Sequence, residues 1–146
     1  MRQLLSIFIV ILLCSFSVVN EEGENTLYLE VEGIKKLEGN IGILVFSSQE
    51  GFPKKAENAV LELEVKVTSK KMKIPLNGLA YGDYAFSVIQ DINSNKEMDV
   101  NLIGIPKEPY GFSNNPSTLT GIPDFEDALV SFSDAKQLTS VKLVIW

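Results

Sequence analysis

Leu61-Glu62-Leu63-Glu64-Val65-Lys66-Val67 decides the class of this chain. Apolar and charged residues alternate without a break. Successive side chains of a strand point to opposite faces, so the run has one face for a core and one for water. A helix would scatter the same apolar residues around its circumference. The period recurs on both sides. Upstream, Leu27, Leu29 and Val31 alternate with Tyr28, Glu30 and Glu32. Downstream, Met72, Ile74 and Leu76 alternate with Lys71, Lys73 and Pro75, and Tyr84, Phe86 and Val88 with Ala85, Ser87 and Ile89. Val141, Leu143 and Ile145 close the chain. Ile41 to Phe46 is apolar on both faces, as in a central strand, and Ala128 to Phe132 reads as a further short strand. Gly33, Glu38-Gly39-Asn40, Gly51-Phe52-Pro53, Asn77-Gly78 and Ser133-Asp134 separate these runs with turn chemistry. The expectation is an all-β chain, an antiparallel β-sandwich of about seven strands. Its only helical feature is a short turn near Pro123-Asp124-Phe125-Glu126, with proline in first position.

The composition excludes several chemistries. The 146 residues suit one domain, and 45% hydrophobic residues are enough for a core. Histidine is absent, which removes the usual general base and zinc ligand. Arg2 is the only arginine and the net charge is −6, so nucleic acid is not an expected partner. Arg2 precedes an apolar run from Leu4 to Leu13, and Ser15-Phe16-Ser17 supplies small residues for cleavage, the pattern of a signal peptide. The run is too short to span a bilayer comfortably. Residues 1–17 are thus expected to be removed, 18–25 to form an acidic lead with Glu21, Glu22 and Glu24, and 26–146 to form the sandwich. Lipidation at Cys14 and an uncleaved anchor are the competing readings; all three place the domain outside the cytoplasm, periplasmic or extracellular. Cys14 is the sole cysteine, so the domain itself carries no disulfide.

The segment from about 91 to 127 keeps neither period, yet holds Leu102, Ile103, Ile105, Tyr110, Phe112, Leu119, Ile122 and Phe125. An irregular stretch of this length is usually functional or disordered, and this one is too apolar for disorder. It opens Asp91-Ile92-Asn93-Ser94-Asn95-Lys96-Glu97-Met98-Asp99. Oxygen-bearing side chains at its first, third, fifth and ninth positions can turn toward one hard cation, with the Glu97 carbonyl at the seventh. Asp91, Asn93, Asn95, Glu97 and Asp99 are therefore the candidate ligands of a structural calcium ion, and Glu108 a further one. The run differs from an EF-hand by Lys96 at the glycine position, by Leu102 at the place of the bidentate glutamate, and by the lack of flanking helices. Few charged ligands imply weak binding, on the order of 10⁻⁴–10⁻³ M. Asx-turns alone can order a loop of this composition, and that is the competing reading.

The block from Asp91 through Asp99, followed by Gly104-Ile105-Pro106-Lys107-Glu108-Pro109-Tyr110-Gly111-Phe112-Ser113-Asn114-Asn115, resembles the domain of unknown function 2141 family of short exported bacterial proteins. Gly82-Asp83-Tyr84-Ala85 and Phe125-Glu126-Asp127-Ala128 are similar as well. The family pattern has glycine in place of Lys96 and commonly histidine in place of Gln90. The resemblance implies a prealbumin-like or immunoglobulin-like sandwich and no particular activity.

The remaining residues favour structural work. Tyr110 and Phe112 are expected to pin the long loop to the sandwich, with Asn114-Asn115 beside them; a recognition surface for sugar or peptide is the alternative. Tyr84 is expected to bond back to a neighbouring turn. Lys54-Lys55 and Lys70-Lys71-Lys73 read as solvated edges. The functional expectation is a non-catalytic module with an unidentified envelope or extracellular ligand, touching membrane only through its leader during export. The alternatives are a structural accessory without a soluble ligand and a weak hydrolase using loop carboxylates.

Overall fold

A computed structural model describes residues 25–145. The leader, Cys14, nearly all of the acidic lead and Trp146 lie outside the described residues. The chain is nearly all β. The eight strands among the described residues are β1 (Leu27–Glu32), β2 (Asn40–Phe46), β3 (Leu61–Lys66), β4 (Met72–Leu76), β5 (Gly82–Asp91), β6 (Tyr110–Phe112), β7 (Val130–Phe132) and β8 (Leu138–Lys142). They form a three-stranded sheet, β4-β1-β8, and a five-stranded sheet, β3-β2-β5-β6 with β7 also on β5.

The alternations do what the sequence suggested. Leu27, Leu29 and Val31 of β1 and Ile41, Ile43 and Val45 of β2 are buried, as are Phe86 and Val88 of β5. They belong to one core drawn from both sheets. Burying a side chain of this size contributes roughly 1.5–3 kcal/mol, so this cluster is the main source of stability. β2 is central, between β3 and β5, as its two apolar faces implied. β3, the clearest alternation, is an edge strand whose apolar side is only half-buried against the core.

Four expectations need correction. The sheets are not wholly antiparallel: β8 lies parallel to β1, Val31 opposite Val141. Parallel neighbours require a long crossover, and here nearly the whole chain supplies it; periodicity carries no direction, so the run could not show this. The closing strand spans 138–142 rather than 141–145, because Val144 leaves β8 to exchange backbone hydrogen bonds with Tyr110 of β6. The short strand after Ala128 begins at Val130, since Glu126–Ala128 forms a 3-10 turn; that turn starts slightly later than Pro123. The 91–127 segment is not one loop. β6 divides it, and so raises the strand number from seven to eight. With three residues and a central glycine, β6 has no visible alternation. Gly111 is needed there because a Cβ would lie 2.7 Å from Val141 Cγ1 and 2.8 Å from the Lys142 carbonyl oxygen. At this point the two sheets close on each other.

The outer face of the five-stranded sheet carries a second cluster. Ala85, Phe112 and Ala128 are buried there, with Phe52, Tyr110 and Phe125 packed on them. The Phe52 ring lies 6.0 Å from Phe112 and 5.7 Å from Phe125, in the tilted and edge-on arrangements aromatic pairs favour. These contacts pin the segment after β6, as expected of Phe112. Buried Ser113 ties it further, accepting from the Phe86 N–H and donating to the Ala128 carbonyl. Asn114 donates to the Asp127 carbonyl, and Asn115 bonds both the Ser140 carbonyl and the Lys142 N–H. Tyr84 donates to the Ala80 carbonyl at 2.9 Å, the back-bond anticipated for it.

Candidate functional site: the 91–109 loop

β5 ends at Asp91, opposite Asn40 of β2. The chain turns away against Gly39, where any Cβ would fall 2.0 Å from the Asp91 carbonyl oxygen. The Asp91 carboxylate, only 3% exposed, stays behind as the hub of the turn. Its Oδ1 accepts from the Asn95 N–H at 3.1 Å and its Oδ2 from the Lys96 N–H at 2.7 Å. Asn93 Oδ1 shares the Asn95 N–H, and Asn95 Oδ1 accepts from the Glu97 N–H. Short polar side chains form such local bonds readily, which is why they replace regular structure here. Ser94 and Lys96 both adopt positive φ, 59° and 66°. Lys96 thus takes the left-handed conformation that a glycine would occupy without Cβ strain.

Asp99 closes the ring. Asn93 Nδ2 donates to its Oδ2 at 2.7 Å and Asn95 Nδ2 to its Oδ1 at 3.2 Å. Asp91, Asn93, Asn95 and Asp99 are therefore joined by hydrogen bonds within one turn. Glu97 joins through its backbone N–H, with its side chain exposed. Lys96 turns outward to Glu64 of β3, 3.4 Å away, and Asn40 bridges Glu64 and Ser94. The parts played by Asn40 and Glu64 had no signal in the sequence, because they come from strands far along the chain.

Glu108 acts as a clamp. Only 3% exposed, it accepts from the Ile92 N–H at 2.8 Å and from the Asp99 N–H at 3.1 Å. One carboxylate thus joins both ends of the Asp91–Asp99 run. The Lys107 N–H to Asp99 carbonyl bond and the Gln90 N–H to Pro109 carbonyl bond complete the closure. Neighbouring Gln90 is fully buried and donates to the Lys36 and Glu38 carbonyls, while its Oε1 has no partner among the described residues.

This donor set has the hardness that calcium prefers. Each carboxylate oxygen can accept twice, so one N–H bond leaves a lone pair in place. Among the described residues no three Asp, Glu, His or Cys side chains are arranged to hold a metal by themselves. A cation at this loop would have to draw on amide and backbone oxygens. In the arrangement seen, the Asn93 and Asn95 NH₂ groups, rather than their oxygens, face Asp99.

The fold and this loop define a small mixed-β domain in which the irregular segment 91–109 is gathered around carboxylates. The chain belongs to the family of uncharacterized proteins conserved in bacteria known as DUF2141, whose model matches residues 29–140. The match takes in every strand from β2 to β7 and the whole loop. Comparison with curated proteins finds no match, and neither does comparison with solved structures.

Proposed function

We propose that the chain is an exported, non-catalytic β-sandwich module of the cell envelope, prealbumin-like or immunoglobulin-like, whose 91–99 loop takes a structural calcium ion. The observation that carries this reading is the convergence of Asp91, Asn93, Asn95 and Asp99 on one turn, closed by buried Glu108. Asp91 and Asp99 would hold the ion together with the Asn oxygens and the Glu97 carbonyl. The ion supplies positive charge between carboxylates that otherwise rely on N–H dipoles. To bind it, the Asn93 and Asn95 amides must rotate and give up their bonds to Asp99, which keeps the affinity low, on the order of 10⁻⁴–10⁻³ M. The module then presents its surface to an envelope or extracellular ligand.

Calcium titration by calorimetry tests the ion. One site of that affinity is expected in the parent and none in Asp99→Ala. Absence of binding heat, with melting unchanged by about 10 mM calcium, defeats it. A pull-down from envelope extract tests the ligand.

A second reading, a structural accessory without a soluble ligand, is favoured by a specific observation: the loop already closes on its own hydrogen bonds. No observation specifically favours the hydrolase alternative: the carboxylates of Asp91, Asp99 and Glu108 serve as acceptors that hold the loop together.

A further inference from the structure

Beyond the carboxylate turn the same loop ends in a tip of a different character. Val100-Asn101-Leu102-Ile103-Gly104-Ile105-Pro106 folds back on itself through a bridge between Val100 and Pro106. Leu102 is fully exposed, Ile103 79% exposed, and Val100 and Ile105 about half as much. Exposed aliphatic side chains are common singly, but four on one turn are not explained by chance exposure.

Several backbone N–H groups beneath them are paired within the turn. The Asn101 N–H donates to the Ile105 carbonyl at 2.8 Å and the Gly104 N–H to the Asn101 carbonyl at 3.0 Å. Asn101 Oδ1 accepts from both the Ile103 and Ile105 N–H groups, at 3.0 and 2.9 Å. At an exposed tip water would satisfy these donors equally well. In hydrocarbon an unpaired N–H costs several kcal/mol, so this pairing suits shallow insertion, with the Leu102, Ile103 and Gly104 carbonyls left to headgroups and water.

From this geometry we propose that the 100–106 tip inserts into the surface of a zwitterionic phospholipid bilayer. The charge pattern selects that partner. The seven residues of the tip carry no charge, while its base carries one charge of each sign, Asp99 and exposed Lys107, joined by the Lys107 N–H to Asp99 carbonyl bond, a pairing that matches the balanced charges of a zwitterionic headgroup. A chain of net charge −6 is repelled by anionic lipid. Area argues against a protein partner or a second copy. Four aliphatic side chains present a few hundred Å², short of the ~800 Å² per partner of a stable interface. Nothing in this inference requires the cation.

The test uses the full chain with Cys14→Ser and Leu102→Cys, the new thiol carrying an environment-sensitive fluorophore. A second chain carries the label at Glu57→Cys instead. Phosphatidylcholine vesicles are added in the presence of chelator, so that the outcome is separate from that of the calcium reading. A blue shift and quenching by lipid-borne quenchers are expected at position 102 and not at position 57. Val100→Ser with Ile103→Ser should weaken tip insertion about tenfold or more, with melting unchanged because neither side chain is in the core. An unshifted label at 102 overturns the proposal, whether the chain binds the vesicles by another part or does not bind them at all. So does an equal response at both positions, or a shift at 102 that depends on protein concentration without vesicles and so marks a second copy.

Discussion

Asp91→Ala separates the two ways in which the loop is held. The substitution removes two acceptors, those of the Asn95 and Lys96 N–H groups, and leaves a small void at a site only 3% exposed. A hydrogen bond to a charged group is worth roughly 1.5–3 kcal/mol. Asn95 and Lys96 are themselves exposed, so water recovers part of that loss. The net cost in chelator should be about 2–3 kcal/mol, or a fall in Tm of roughly 6–15 °C for a domain of this size. Calcium adds a second, independent term. At about 10 mM, an ion bound with the affinity proposed stabilises the parent by roughly 1.4–2.7 kcal/mol and Asp91→Ala not at all. Thermal melts of parent and variant, each in calcium and in chelator, give the four numbers needed. A variant that melts with the parent in chelator refutes the role given to the Asp91 hydrogen bonds. A gap between the two that does not widen in calcium refutes the ion.

Four further outcomes follow from the geometry. Glu108→Ala should cost about 2–4 kcal/mol in urea unfolding, because it frees the Ile92 and Asp99 N–H groups together at a buried position. Gly39→Ala should destabilise by at least about 2 kcal/mol, since its Cβ meets the Asp91–Ile92 backbone and not a movable side chain. Lys96→Gly should stabilise by about 0.5–1 kcal/mol by relieving a positive φ of 66°; a loss would show that the contact to Glu64 outweighs the strain. The last concerns pH. Hydrogen bonds to Glu30 and Glu32 push Lys71 from 10.5 up to about 12, and the Lys71 hydrogen bond and charge hold Glu32 below 4.5. The lysine's contribution is present below 10.5 and lost as pH rises toward 12, while that of Glu32 is lost as pH falls below 4.5. Lys71→Met should therefore flatten both limbs of a stability–pH curve, and unchanged limbs would dismiss the triad.

Much of this protein was determined by its sequence alone, where the controlling interactions are local. Alternation at 27–31, 61–67 and 72–76 specified strands and their buried faces, because the side-chain period of a strand is fixed by the backbone. The two apolar faces of Ile41–Phe46 marked a central strand, and the spacing from Asp91 to Asp99 specified a closed polar turn, since short Asp and Asn side chains reach only a few residues along the chain. Only the tertiary structure decided the rest. That β8 runs parallel to β1, that a three-residue β6 interrupts the long segment, that Glu64 reaches the loop, and that Glu108 meets it through the Ile92 and Asp99 N–H groups all depend on which distant segments meet. Aromatic packing of Phe52, Phe112 and Phe125 holds the segment after β6; the sequence marked Phe112 for that part, but only the fold brings Phe52 and Phe125 to it. The same holds for the exposed tip. Val100, Leu102, Ile103 and Ile105 are apolar in the sequence, and only the fold shows that they stand exposed.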